Sequence, residues 1–253
     1  MKGPATWSEL ETEMKHWVYV AAIGASLASP VAAQELSEER IKELALEAIL
    51  ENPQIVMDAV AILREREAEA QVASAAETLA NQRDLLERDE NAPVLGNPDG
   101  DVTVIEFFDY NCPYCRRAKP TIEGLIAADP NVRVVFREFP ILGDDSVLAA
   151  RAALAARAQG MYEEFHWALM ALSGRINEAQ IMQTADDLGL DVAQLEADMQ
   201  SDAVTMHIET SLSLAQSLGI SGTPSFVVGE TILPGLVDQA RLEELVAQER
   251  SDG

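Results

Sequence analysis

The chain contains two cysteines, Cys112 and Cys115, separated only by Pro113 and Tyr114. A pair this close is either a redox couple or half of a metal site. As a structural staple it is weak, because so short a loop constrains the unfolded chain little. Pro113 suits the first residue of a helix, which makes Cys112 the N-cap. The Cys112 sulfur then meets free backbone N–H groups and the positive end of the helix dipole, and both favour a thiolate. Cys115 lies one turn further in, within reach of a disulfide but more buried. The asymmetry predicts that Cys112 attacks and Cys115 resolves the mixed disulfide. Arg116, Arg117 and Lys119 follow, opposed in part by Asp109. They either shape the field at the sulfur or are ordinary solvated residues whose charge is screened.

The metal reading needs further ligands. Two thiolates supply half of a tetrahedral zinc site, and no second Cys/His pair lies nearby in the sequence. His166 and His207 read as surface or core-edge histidines rather than ligands. Two-coordinate copper(I) on an exposed dithiol is the metal alternative. The chemistry otherwise calls for no cofactor and no resident metal.

Several elements must hold the pair in place. Asp101 to Asp109 reads as a buried central strand, being nearly continuous in Val, Ile and Phe. Pro113 to Ala128 reads as a helix and Val132 to Phe139 as a second strand, ended by Pro140. A helical block runs from about 144 to 219, punctuated by Gly160, Ser173-Gly174 and Gly189. Capping pairs stand at Asn177/Gln180 and Asp191/Gln194. Strand periodicity returns in Pro224–Val228 and Thr231–Leu233 around a turn at Gly229-Glu230. A last helix spans Asp238 to about Glu249.

Ahead of this domain, from Ser37 to about Arg88, the pattern is helical. Ser37 is placed to cap, with Glu38 and Glu39 in the first turn. Ile41, Leu44, Ala45, Ala48 and Ile49 form an apolar stripe. After a break at Asn52-Pro53 the stripe resumes through Ile55, Val56, Ala59, Val60 and Leu63. A helix with such a face and no core of its own must bury it. The expectation is that residues 34–90 associate copies of the chain; the alternative is an arm folded back on its own domain.

Residues Trp17 to Ala33 form an apolar run after Lys15 and His16, ending in Val31-Ala32-Ala33. This predicts a secretory signal peptide cleaved after Ala33, in preference to a short membrane helix. Glu9, Glu11 and Glu13 do not suit a signal, which places the true start at Met14. Export would put the thiols where disulfides persist. The net charge of −25, from 43 acidic and 18 basic residues, excludes a basic nucleic-acid-binding face and an attraction to anionic membranes.

The run Val104-Ile105-Glu106-Phe107-Phe108 before Cys112-Pro113-Tyr114-Cys115 resembles the DsbA-like branch of the thioredoxin superfamily. Pro120 and Gly222-Thr223-Pro224-Ser225-Phe226 agree with it, over about residues 92–250. The resemblance implies an α/β thioredoxin fold with an inserted helical domain, here preceded by an N-terminal helical extension. It implies a cis bond before Pro224, which would lie against the sulfurs. Thr223, with Pro113 and Tyr114, would meet an extended substrate. Glu106 would be the buried acid beneath the disulfide, accepting a proton from Cys115; the alternative is a strand-edge carboxylate in water. The branch pairs this acid with a partner that is not evident here, and Arg137 is the candidate.

The helices before residue 90 are similar to those of oligomeric ScsC-type relatives, and Thr before the cis-proline is shared with DsbC. In those proteins facing catalytic domains hold a misfolded client. The resemblance therefore implies a periplasmic homo-oligomer that reshuffles or reduces disulfides in exported cysteine-containing proteins and is reset by a membrane redox partner. The alternatives are a net disulfide-forming oxidase and a copper(I)-binding or chaperone-like protein.

Overall fold

The structure, a computed structural model, describes residues 37–252. The expected signal peptide, its cleavage after Ala33 and the start at Met14 lie outside the described residues. The chain divides into two compact units, with the division between Ala61 and Ile62.

In the first unit, helix α1 (Glu38–Glu51) begins where sequence places it. Ser37 is extended and its Oγ accepts the Arg40 N–H at 3.2 Å. Asn52-Pro53 ends α1 because proline has no N–H to continue the ladder. Helix α2 (Gln54–Asn81) follows and runs on into the second unit. No residue of α1 is buried, and Ile41, Ile49, Ile55 and Val56 are exposed.

The second unit opens with the C-terminal part of α2 and a short helix α3 (Arg83–Glu87). A five-stranded sheet follows, with order β1-β3-β2-β4-β5. Strands β1 (Val94–Gly96), β2 (Val102–Phe108), β3 (Val132–Glu138), β4 (Ser225–Val228) and β5 (Thr231–Pro234) form it. β2 and β3 are parallel and joined through helix α4 (Pro113–Ala128); every other pairing is antiparallel. All seven residues of β2 and of β3 are buried, the charged Glu106, Arg133, Arg137 and Glu138 among them. The helical insertion comprises α5 (Asp144–Ala156), a 3₁₀ turn (Arg157–Gln159), α6 (Tyr162–Ala171), α7 (Glu178–Asp187), α8 (Val192–Asp198) and α9 (Asp202–Ser217). Asn177 and Gln180 form the expected capping box on α7, and Asp191 caps α8. Helix α10 (Gln239–Asp252) closes the domain.

Alternation along the strands sends Val104, Glu106 and Phe108 to one face of the sheet. Phe136 and Phe226 join the same layer beneath α4, α10 and most of the insertion. Ile105, Phe107, Val135 and Val227 point the other way, against Leu79, Leu86, Leu214 and Leu218. The end of α2 thus does fold onto the domain: the Gln71 amide and Ser74 hydroxyl donate to the Ser217 carbonyl at 3.3 and 3.2 Å. The alternative of an arm folded back on its own domain therefore describes the end of α2, from Gln71 to Leu79, while residues up to Ala61 belong to the first unit. Strand β1 has no signature in the sequence, because its three residues, Val94–Gly96, are too few to show a periodicity.

Candidate active site

Helix α4 starts at Pro113, so Cys112 is its N-cap, with extended φ and ψ of −80° and 117°. Both cysteines are free thiols and nearly buried, at 4% exposure for Cys112 and 1% for Cys115. Their chemistry diverges all the same. A hydrogen bond from the Cys115 thiol holds Cys112 down to a pKa of about 5, helped by a Thr223 side-chain bond and the backbone N–H groups of Cys115 and Tyr114, against an opposing cost of burial. Burial pushes Cys115 far above the usual thiol range, and donating to Cys112 and the nearness of Glu106 raise it further. One sulfur ionises in mild acid while the other keeps its proton.

The Thr223–Pro224 bond is cis. The loop brings the Thr223 carbonyl within 3.2 Å of Cys112 Sγ, as acceptor for the thiol when protonated. A cleft of about 280 Å³ adjoins it, lined by residues of the 219–225 loop together with Ile232, Pro234 and Gly235. Tyr114 is half exposed, with the Arg117 guanidinium 4.4 Å from its ring centre.

Glu106 lies in the middle of β2, 3% exposed, and is not a strand-edge carboxylate in water. Across the sheet it faces Phe136 and Phe226. Desolvation, then the charge of Cys112, raise its pKa to about 8. Arg137 is not its partner. The strand's alternation turns Arg137 to the opposite face, where it is fully buried, pairs with Asp89 at 2.7 Å and holds the Leu85 and Leu86 carbonyls. The residue aligned with Glu106 on β3 is Phe136, one position earlier.

Among the polar residues packed around the site, Asn111 and Glu138 carry no signal in the sequence. Asp109 accepts the Asn111 N–H at 2.7 Å and the Leu142 N–H at 2.9 Å. Asn111 accepts the Ile176 N–H at 2.8 Å, tying the loop before Cys112 to the insertion. Glu138 is fully buried and receives the Tyr162 hydroxyl at 3.1 Å. His166 and His207 are also fully buried, not at the surface or the core edge. His166 lies 2.9 Å from the Tyr110 hydroxyl, and His207 Nε2 accepts the Glu138 N–H at 3.2 Å. Their burial follows from packing on the strands, which pairwise spacing in the sequence does not reveal. Among the described residues no three His, Cys, Asp or Glu side chains converge as metal ligands.

A thioredoxin-type sheet, a dithiol at a helix N-terminus, a buried acid below it and a cis-proline beside it together define a thiol–disulfide oxidoreductase. The model of the DsbA-like thioredoxin domain matches residues 103–247, more than half of the chain, and the chain belongs to that family. Among solved structures it is similar to a thioredoxin-like oxidoreductase from Silicibacter pomeroyi DSS-3, with 60% identity and a TM-score of 0.66. That similarity covers 67% of this chain and 98% of the other. ScsC from Proteus mirabilis is 29% identical with a TM-score of 0.64, covering 89% of this chain and 100% of the other. A Na(+)/H(+) antiporter NhaA 1 from Salinispora arenicola is 33% identical over 137 residues, 53% of this chain. The chain spans about a fifth of that relative's length.

Proposed function

We propose that this protein acts in the periplasm, where it reshuffles or reduces disulfides in exported cysteine-containing proteins. The Cys112 thiolate attacks one sulfur of a client disulfide, that S–S bond breaks, and the departing client thiolate takes up a proton. The client is then held by a Cys112–client mixed disulfide. If another client thiolate attacks that bond, a new client disulfide forms and Cys112 is regenerated. If Cys115 attacks Cys112 Sγ instead, the Cys112–client bond breaks, the client leaves reduced by two electrons, and the pair that supplied them is left oxidised as a Cys112–Cys115 disulfide. A membrane reductase then resets the pair.

Glu106 accepts the Cys115 proton in that second route. The Cys112 charge raises the pKa of both Glu106 and Cys115. Forming the mixed disulfide abolishes that charge, so both groups become more acidic at the moment when Cys115 must ionise. Thr223 and the cis-proline loop, with Pro113 and Tyr114, are the surface on which an extended client segment would lie.

The observation that carries the choice of reshuffling is the set of exposed apolar residues on α1 and the first half of α2, which dithiol chemistry itself does not need. The likeness to ScsC covers more of the chain than the second unit alone accounts for. On this reading residues 34–61 bring several dithiol centres together around one client. Refolding of a scrambled, disulfide-rich protein tests it: isomerisation should fall when residues 34–61 are deleted, and an undiminished rate rejects the reading.

One observation favours net oxidation instead. A nucleophile ionising at about pH 5 stabilises the reduced form and makes the disulfide a better oxidant. Trapping free thiols in intact cells separates the two: Cys112 found mostly reduced supports reshuffling or reduction, and Cys112 found mostly oxidised supports net disulfide formation.

A further inference from the structure

Three basic residues follow the cysteines, and the fold treats them differently. Arg117 lies over the Tyr114 ring, and Lys119 pairs with Glu123 at 2.5 Å. Arg116 turns back toward the start of the helix. Its backbone N–H donates to the Cys112 carbonyl at 3.2 Å, which places it one turn from Cys112 on the same helix face. Its Nε and Nη2 donate to the Tyr110 carbonyl at 3.1 and 2.8 Å, and its Nη1 donates to the Gly174 carbonyl. The side chain therefore spans the segment that carries the nucleophile, from position 116 back to residue 110. It also joins that segment to the loop between α6 and α7, which Asn111 ties down through the Ile176 backbone.

A guanidinium fixed on two carbonyls is unlike a mobile surface charge. It pays no further rotamer entropy to stay near the sulfur, and its partial burial weakens screening by salt. Neither Tyr110 O nor Gly174 O neutralises it, because each is a carbonyl dipole.

We infer that Arg116 is a positioning residue for the Cys112 thiolate: held on the Tyr110 and Gly174 carbonyls, its guanidinium keeps one fixed positive charge beside the attacking sulfur. The ionisable groups facing that sulfur are Cys115 and Arg116 on α4 and Glu106 on β2, while Asp109 faces the guanidinium from the preceding loop. The 219–224 loop brings no ionisable side chain, and Arg175 in the 172–176 loop is engaged by Asp145. The hydrogen bonds made at the sulfur carry most of the stabilisation of the thiolate; Arg116 adds a positive charge that interacts with it. The inference rests on Cys112 being the attacking sulfur.

The test is a pH titration of thiolate absorbance in the full-length reduced protein, with alkylation mapping to show which cysteine titrates. R116Q should raise the Cys112 midpoint by about 0.5–1 unit, a three- to tenfold loss of proton-release equilibrium. R116K, which restores the charge, should recover at least half of that shift, and R117Q should leave the midpoint unmoved. In the unmodified protein the midpoint should change by less than about 0.3 unit between low salt and molar salt.

A midpoint unmoved by R116Q, or an R116K variant as impaired as R116Q, overturns the inference and leaves the guanidinium a purely mechanical tie. A large salt dependence overturns it as well, and does so without any variant that must fold. A low titration mapped to Cys115 would sink the assignment of the nucleophile along with it, which distinguishes failure of that assignment from failure of the Arg116 role alone.

Discussion

At the scale of single residues the site rests on a difference between two thiols in one helical turn. The largest influence on Cys112 is the bond it receives from Cys115. Replacing Cys115 with Ala should therefore raise the Cys112 midpoint from about 5 by more than about one unit, read by thiolate absorbance. The same thiol links redox state to stability. An unfolded thiol ionises near 9, and Cys112 in the fold near 5. A lowered native value contributes stability that is full above the unfolded pKa and disappears as pH falls through the folded one. Glu106, raised from 4.5 to about 8, works the other way across that window, mainly through its burial, which both redox forms share. Thermal melts of reduced and oxidised protein should thus diverge in favour of the reduced form as pH rises from 5 toward 9. A gap that stays constant across this range would contradict the assignment. For Glu106 itself, E106Q should slow resolution and let Cys112–client mixed disulfides accumulate, visible on non-reducing gels. Sequence made much of this legible, because Cys112, Cys115, Glu106 and Pro224 lie in two contiguous motifs. The fixing of Arg116 was not legible, because its carbonyl partners at 110 and 174 are set by how the inserted helices dock.

Among elements, β2 to β5 followed from their strand patterns and α4 from Pro113, since both signals are local. Arg137 shows where local reading stops. Its position next to Phe136 is one residue from facing Glu106, and a one-residue step along a strand reverses the face. On its actual face it is fully buried, joined to Asp89 and to the carbonyls that end α3. Those carbonyls have no helical partner of their own, so the guanidinium completes a helix end while fixing α3 to the sheet. Arg133, on the same strand, reaches the Glu87 carbonyl in the same way. Removing Arg137 leaves Asp89 without its ion pair and the Leu85 and Leu86 carbonyls without this donor. Arg137→Leu should lower stability by about 3–5 kcal/mol in urea denaturation. The Cys112 midpoint should stay in place in the variant, because Arg137 and the thiols lie on opposite faces of the sheet. A loss within about 0.5 kcal/mol would mean that α3 is held by Leu86 and its apolar neighbours alone.

For the whole molecule two properties pull in opposite directions. A net charge of −25 makes copies of the chain repel one another at long range. Ile41, Leu46, Ile55, Val56 and Met57, each exposed by 43% or more, favour contact at short range. The repulsion is screened within about 8 Å at physiological salt, whereas apolar burial is not weakened by salt. Association through these helices should therefore tighten as salt rises, the reverse of a complex held by opposite charges. The division at Ala61 and Ile62 indicates where to cut: residues beyond it include Leu79 and Leu86, which belong to the core against Phe107 and Val135. Deleting residues 34–61 should leave the Cys112 titration and the thermal stability of the domain close to those of the full chain. Light scattering should then report a single-chain mass where the full chain gives a multiple, at every salt concentration. An unchanged mass after deletion would place the contact on the second unit, and a single-chain mass for the full protein at high salt would leave the exposed apolar residues to clients.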